Sequence, residues 1–162
     1  MAVTEQFLEL AANGLVYSSI IILGSIGLSL IYSIAGFANF AHGDTMTVGA
    51  YATLIAFGAV GGAGFSILGL PLGFFVALVI GIVVTAAVAL VTERLVYKPL
   101  DIGSIGLLIT SIGVAFIYRA LIQIRYSTEV RRLGIPPLRP IEPLLQYGIR
   151  ITHLDLAIVI SA

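Results

Sequence analysis

Residues 39–45 read Asn39-Phe40-Ala41-His42-Gly43-Asp44-Thr45 and gather an amide, an imidazole, a carboxylate and a hydroxyl in seven positions. An imidazole two residues from a carboxylate suits acid and base work, while amide and hydroxyl groups suit satisfying peptide groups at a helix break. Two readings follow. In the first, Asp44 or Thr45 caps the following helix by accepting free N–H groups, and Asn39 and His42 serve carbonyls freed at the end of the preceding one. In the second, the break lies at membrane depth beside protein or water, so that Asn39, His42, Gly43 and Asp44 line a polar path or a subunit contact. A metal site is not expected, since His42 and Asp44 supply at most two ligands and His153 lies far along the chain. Hydrolase chemistry lacks a G-x-S-x-G elbow and an H-E-x-x-H pair, and no Walker A sequence occurs. The chain is therefore not expected to be an enzyme, and no catalytic residue or cofactor is expected.

The elements that must hold this segment are apolar. Lys and Arg number 8 and Asp and Glu 8 among 162 residues, 10% in all, against roughly 25% in ordinary soluble domains. Apolar residues make up 59%, which excludes disorder and leaves too little polar surface for a soluble globule. Net charge is zero, so no basic field exists to attract nucleic acid. Cysteine is absent, which removes disulfides, thiolate ligands and cysteine nucleophiles.

Charges leave long gaps between Glu9 and Asp44, between Asp44 and Glu93, and between Asp101 and Arg119. A helix needs about 20 apolar residues to cross the hydrocarbon layer. The gaps predict an all-α, polytopic transmembrane bundle with four full spans, at about residues 14–36, 45–61, 71–92 and 104–124. Residues 152–162 read as the start of a fifth, incomplete span. Residues 1–162 thus form one membrane region, expected to be the N-terminal portion of something longer. The Gly-rich run 61–64 and the Gly and Pro of 69–73 mark the turn between the second and third spans. Residues 4–12 suggest a short interfacial helix with Phe7, Leu8 and Ala11 toward lipid. They do not resemble a signal peptide, since no basic residue precedes the apolar stretch.

Arg94 and Lys98 place the loop after the third span in the cytoplasm and the N-terminus outside. Residues 125–150, with Arg125, Arg131, Arg132, Arg139 and Arg150, are then external against the charge rule, and Pro136, Pro137 and Pro140 make them an irregular connector. Small residues recur at helical spacing at Ser25, Ser29 and Ser33, at Gly81, Thr85 and Ala89 leading to Glu93, and at Gly106, Thr110 and Gly113. They suit close helix packing in lipid or, alternatively, a hydroxyl-lined path.

Three elements in order carry a family resemblance. The run from Asn39 to Asp44 with Met46, Gly49, Ala50 and Tyr51 resembles a signature of the branched-chain amino acid permeases of ABC uptake systems, with Asp44 where Glu is common. Glu93-Arg94 with Tyr97-Lys98-Pro99-Leu100 is similar to the family's Glu-Arg, Tyr-Arg-Pro-Leu element, with Lys98 in place of Arg. Leu108-Ile109-Thr110-Ser111-Ile112-Gly113-Val114 follows at the family's spacing. The resemblance implies a multi-pass permease of the cytoplasmic (inner) cell membrane that moves Leu, Ile or Val inward. Urea, short amides or other amino acids are the alternative substrates, and a non-transporting fragment the alternative product. It also implies a second permease subunit, two ATPase subunits on the cytoplasmic face and an external substrate-binding protein, with Asn39, His42, Gly43, Asp44, Glu93 and Arg94 as motif positions. The family's ATPase-engaging loop belongs to the second half of its permeases and has no match here. The external arginines, Arg131 and Arg132 among them, are candidates for meeting acidic residues of the binding protein.

Overall fold

The computed structural model describes residues 3–62, 65–67, 69–129, 131, 133–135, 140–142 and 150–162. Its described part is helical, with α1 (Val3–Ala35), α2 (His42–Val60), α3 (Leu72–Thr92), α4 (Ser104–Tyr126) and α5 (His153–Ser161). Two short strands, β1 (Ser66–Ile67) and β2 (Leu70–Pro71), form a hairpin before α3. The expected all-α class thus gains a minor β element at the Gly and Pro turn. Chain contacts define two compact units, one of Met1–Gly27, Ser66–Leu70 and Pro136–Ala162, the other of Leu28–Phe65 and Pro71–Ile135.

In the first unit, α1 begins at Val3 and runs without interruption through the stretch expected as a separate interfacial helix. Asn13-Gly14 stands between residues 4–12 and the apolar run, but Gly14 is not among the positive-φ glycines and no Pro occurs there, so the helix passes through. Ser19 is buried and donates to the Leu15 carbonyl at 2.9 Å. The unit also holds α5, whose start is a full capping box. Thr152 Oγ1 accepts from the Asp155 N–H, and the Asp155 carboxylate accepts from the Thr152 N–H at 2.9 Å. The predicted segment 152–162 is therefore a helix with a built N-terminus.

The second unit contains the rest of α1 and all of α2, α3 and α4. Gly36 ends α1 at φ 73° and Gly61 ends α2 at φ 73°, each returning its N–H to the carbonyl four residues back. That left-handed turn is open to glycine at no steric cost. Ser127 does the same for α4 at φ 60°. α3 continues past Thr92 into one wide π-type turn, Glu93–Tyr97, closed by the Lys98 N–H on the Glu93 carbonyl at 2.8 Å.

Helices α2 and α3 interlock antiparallel through two reciprocal contacts. Gly49 of α2 faces Thr85 of α3, and Gly81 of α3 faces Thr53 of α2. A Cβ on Gly49 would stand 2.7 Å from Thr85 Oγ1, and one on Gly81 would collide with Thr53 Oγ1. Each threonine hydroxyl is spent inside its own helix, Thr53 on the Gly49 carbonyl at 3.0 Å and Thr85 on the Gly81 carbonyl at 2.7 Å. Farther along, Gly73 lies on the Gly61 carbonyl. The stripe through Gly81, Thr85 and Ala89 is thus a helix-packing face. The stripe on α4 is not, because Gly113 faces open space and the neighbour of Gly106 is its own Ile102. Ser25, Ser29 and Ser33 are exposed.

α2 and α4 run parallel in one register. Asp44 meets Arg119, and seven residues on along both helices Tyr51 stacks on Tyr126 with ring centroids 4.8 Å apart. Among the described residues three helical runs are long and apolar enough to cross a membrane, Gln6–Ala35, Leu72–Tyr97 and Ser104–Tyr126. They match the first, third and fourth predicted spans, the first beginning eight residues earlier and the other two extended at their C-terminal ends by five and two residues. α2 is not among them. It has 19 residues, but it begins three residues before the predicted span and so takes in His42, Gly43 and Asp44. In the segment after α4, Arg132, Pro136, Pro137 and Arg139 lie outside the described residues.

The interlock sets a sign test. Gly81→Ala should lower the thermal stability of the purified membrane protein by about 1–3 kcal/mol, as overpacking does. Gly58→Ala, where a Cβ meets nothing within 4 Å, should be neutral or stabilising through helix propensity. Equal shifts in melting temperature for the two variants would refute the close contact.

Candidate functional site

The break between α1 and α2 is held by side chains that come from far along the chain. The Phe40 N–H donates to Ser111 Oγ at 3.0 Å, and Ser111, fully buried, donates onward to the Leu108 carbonyl at 2.6 Å. Asn39 Oδ1 accepts from the Ala41 N–H at 3.0 Å and from the Tyr97 hydroxyl at 3.4 Å. Around these bonds lies the core of the unit, made of Phe37, Ala41, Tyr97, Val114, Ala115 and Tyr118. Phe37 and Tyr97 pack with ring centroids 5.5 Å apart. The π-type turn matters here, since it sets Tyr97 on the core side while Glu93 and Arg94 stay exposed.

These contacts overturn the capping reading for Asn39, Asp44 and Thr45. Ala41 occupies the cap position of α2, and no side chain caps it. Thr45 turns back instead, its hydroxyl donating to the Ala41 carbonyl at 2.8 Å. Asn39 does not serve the carbonyls of α1. Its carboxamide oxygen is an acceptor for the turn itself and for the wide turn after α3. His42 gives its backbone N–H to the Asn39 carbonyl at 3.1 Å, closing that turn.

Asp44 is drawn to α4. Arg119 presents Nε to Asp44 Oδ1 at 3.2 Å and an Nη to Oδ2 at 3.2 Å, a two-bonded carboxylate–guanidinium pair. The Asp44 side chain is 14% exposed and that of Arg119 57%. Within an apolar layer an unpaired arginine at mid-helix costs about 2.5–3.5 kcal/mol, and the pairing offsets part of that for both partners.

A cavity of about 230 Å³ opens beside the break, lined by Asn39, Thr45, Glu93, Tyr97 and Tyr118 together with apolar groups. On its wall the hydroxyls of Thr92 and Tyr118 are hydrogen-bonded. Of the six motif positions, the structure therefore brings Asn39 and Glu93 to one cavity. Asp44 goes to the ion pair, and Arg94, His42 and Gly43 do not line that cavity. Among the described residues no group of three His, Cys, Asp or Glu is placed to hold a metal ion.

Ser111, Tyr97, Tyr118 and Arg119 were not singled out by residue type and spacing as site residues. One signal for Arg119 did exist. Asp44 is the sole charge between Glu9 and Glu93, and Arg119 follows an uncharged run from Asp101. Two isolated, opposite charges in apolar spans are candidates to meet.

Long apolar helices, a break stapled by buried hydrogen bonds and one interhelical ion pair define a multi-pass membrane protein. The family described as branched-chain amino acid transport system, permease component, matches residues 10–137, and the chain belongs to that family. It is similar to the high-affinity branched-chain amino acid transport system permease protein BraD of Pseudomonas aeruginosa. The two are 32% identical over 136 residues, covering 83% of this chain and 43% of that protein. The permease protein LivH of the same type of system is 26% identical in Escherichia coli K12, over 82% of this chain and 42% of LivH. LivH of Salmonella typhimurium is 28% identical over the same shares, 82% and 42%. The chain thus spans less than half the length of these relatives. No solved structure matches.

The staple predicts a local loss. Ser111→Ala should destabilise the bundle by about 1–3 kcal/mol by leaving the Phe40 N–H without its acceptor. Hydrogen exchange at the Phe40 amide should accelerate more than at the amides of α3, and unchanged protection at Phe40 would contradict the assignment.

Proposed function

We propose that the chain is the N-terminal part of a permease subunit of an ABC importer that carries branched-chain amino acids into the cell across the cytoplasmic membrane. The observation that carries this reading is the family match over residues 10–137, which takes in the break, the wide turn and α4. The names of BraD and LivH, high-affinity branched-chain amino acid transport permeases, favour Leu, Ile and Val over urea or short amides. In such a system the permease works with a second membrane subunit, two ATPase subunits and an external binding protein.

In this reading α2 is also a crossing. At roughly 1.5 Å per residue its 19 residues reach about 28 Å, enough to carry the chain from the break inside the layer out through the far face. Its polar first turn is tolerated because Arg119 neutralises Asp44. α5 then opens the fifth span. Arg94 and Lys98 face the cytoplasm, and the arginines after α4 face outward toward the binding protein. The Asn39 to Asp44 turn meets α4 near the middle of that helix, at Ser111, Val114 and Ala115, which puts a polar break at membrane depth. Asn39, His42, Asp44 and Glu93 then belong to the walls of the path.

The test is uptake by the full-length permease assembled with its partner subunits in proteoliposomes. Labelled leucine should accumulate in an ATP-dependent manner, and labelled urea should not. Urea uptake without leucine uptake would move the chain to the amide branch of the family. Asp44→Asn and His42→Ala should each lower leucine uptake, and normal uptake in both would reduce the break to a structural turn.

A further inference from the structure

Building on the permease reading, we infer that Arg119 receives the carboxylate of the transported amino acid at the face where α4 and α2 meet. The guanidinium has five N–H donors in a fixed fork, and Asp44 engages two of them. The remaining edge belongs to a side chain that is 57% exposed. Arg119 is the sixteenth residue of α4, about 22 Å from the helix start and about 10 Å from its end. At that height an exposed guanidinium facing lipid is strongly disfavoured, and intramembrane charges face a bundle interior or a water-filled cavity. Escape along the helix toward the interface is the other route for an arginine. The two-bonded pair with Asp44 opposes it by holding the guanidinium across toward α2. The face carrying Arg119 is thus one that water and solute reach.

That face also has the right apolar character. Ile112, Phe116 and Gln123 stand at −7, −3 and +4 from Arg119, on the same side of α4. Ile112 is 38% exposed and Phe116 63%. A planar cation beside exposed aliphatic and aromatic surface fits a solute with a carboxylate at one end and a hydrocarbon side chain at the other. Guanidinium takes a carboxylate through two parallel hydrogen bonds, which a neutral amide or urea does not reproduce with the same charge assistance. Asp44 then has a positioning role, fixing the plane of the fork and leaving its outer edge free for the solute.

The experiment uses the full-length permease with its second membrane subunit, ATPases and binding protein in proteoliposomes, at saturating leucine. Arg119→Gln should lower leucine turnover tenfold or more, while ATP hydrolysis stimulated by the binding protein stays within about twofold. Arg119→Lys keeps the charge without the fork and should lose about three- to tenfold; it carries the test if the glutamine variant does not assemble. The exchange Asp44→Arg with Arg119→Asp restores an ion pair but removes the outward cation from α4, and it should not restore uptake. Uptake restored by the exchange, or unchanged turnover in both single variants, overturns the inference and leaves Arg119 a packing partner of Asp44. A wild-type complex that hydrolyses ATP but imports no leucine overturns the permease reading itself, and this inference with it.

Discussion

A chain that breaks a helix inside an apolar layer must find a partner for each peptide group it frees, because no water is there to do so. The bond from the Phe40 N–H to Ser111 is where this chain meets that requirement. Ser111 is fully buried and lies 71 residues from Phe40, so the bond closes the topology as well as the turn. Once Phe40 is fixed to α4, Phe37 and Ala41 fall on either side of it in the core, and the Asn39 carboxamide comes within reach of Tyr97. The register of α2 on α4 follows from the same anchor. Asp44, in the first turn of α2, then meets Arg119 two turns beyond Ser111 on α4.

The interlock of α2 with α3 works by a different physics. Lipid tails are as apolar as leucine, so helix association in a bilayer draws little from hydrophobic burial and much from close packing. The Gly49–Thr53 and Gly81–Thr85 pairs bring two backbones together and leave no hydroxyl searching for a partner. Each threonine returns its proton to its own helix, which removes the polar penalty of burying it. The Thr methyl and Cβ then act as apolar knobs against glycine. This contact positions α3 so that its last residues, extended by the wide turn, reach the break at Asn39.

Much of the fold was legible in the sequence because charge is so scarce. Gaps between charged residues located α1, α3 and α4 to within a few residues at most of their ends, and the glycines at 36 and 61 marked true helix stops. The beginning of α1 was misread because a helix does not register the difference between a polar and an apolar first turn, and Asn13-Gly14 between them stays helical. The candidate site was legible in part. Residues 39–45 stood out by composition, but composition does not reveal partners. Thr45 and Asp44 are good capping residues by type, yet Thr45 bonds backward and Asp44 is claimed by a cation 75 positions away. Long-range pairings of this kind are set by the stagger of α2 on α4, which no local pattern encodes. The wide turn at Glu93 was invisible for the same reason: its sequence is an ordinary helical one.

The distribution of exposure says what the helices still need. Within an 18-residue apolar stretch of each of the three runs able to cross a membrane, only 6%, 11% and 17% of residues are buried by the rest of the chain. Most outward side chains are Ile, Leu, Val and Phe, for which lipid is a sufficient solvent. Arg119 is an exception away from the helix ends, since lipid suits it poorly and Asp44 covers only part of it, whereas the exposed Glu93, Arg94, Gln123 and Arg125 lie within the last turns of their runs. The polar break and the ion pair meet α4 at Ser111 and Arg119, about 12 Å apart along the helix, so both polar contacts fall within its middle turns and tie it to the break and to α2.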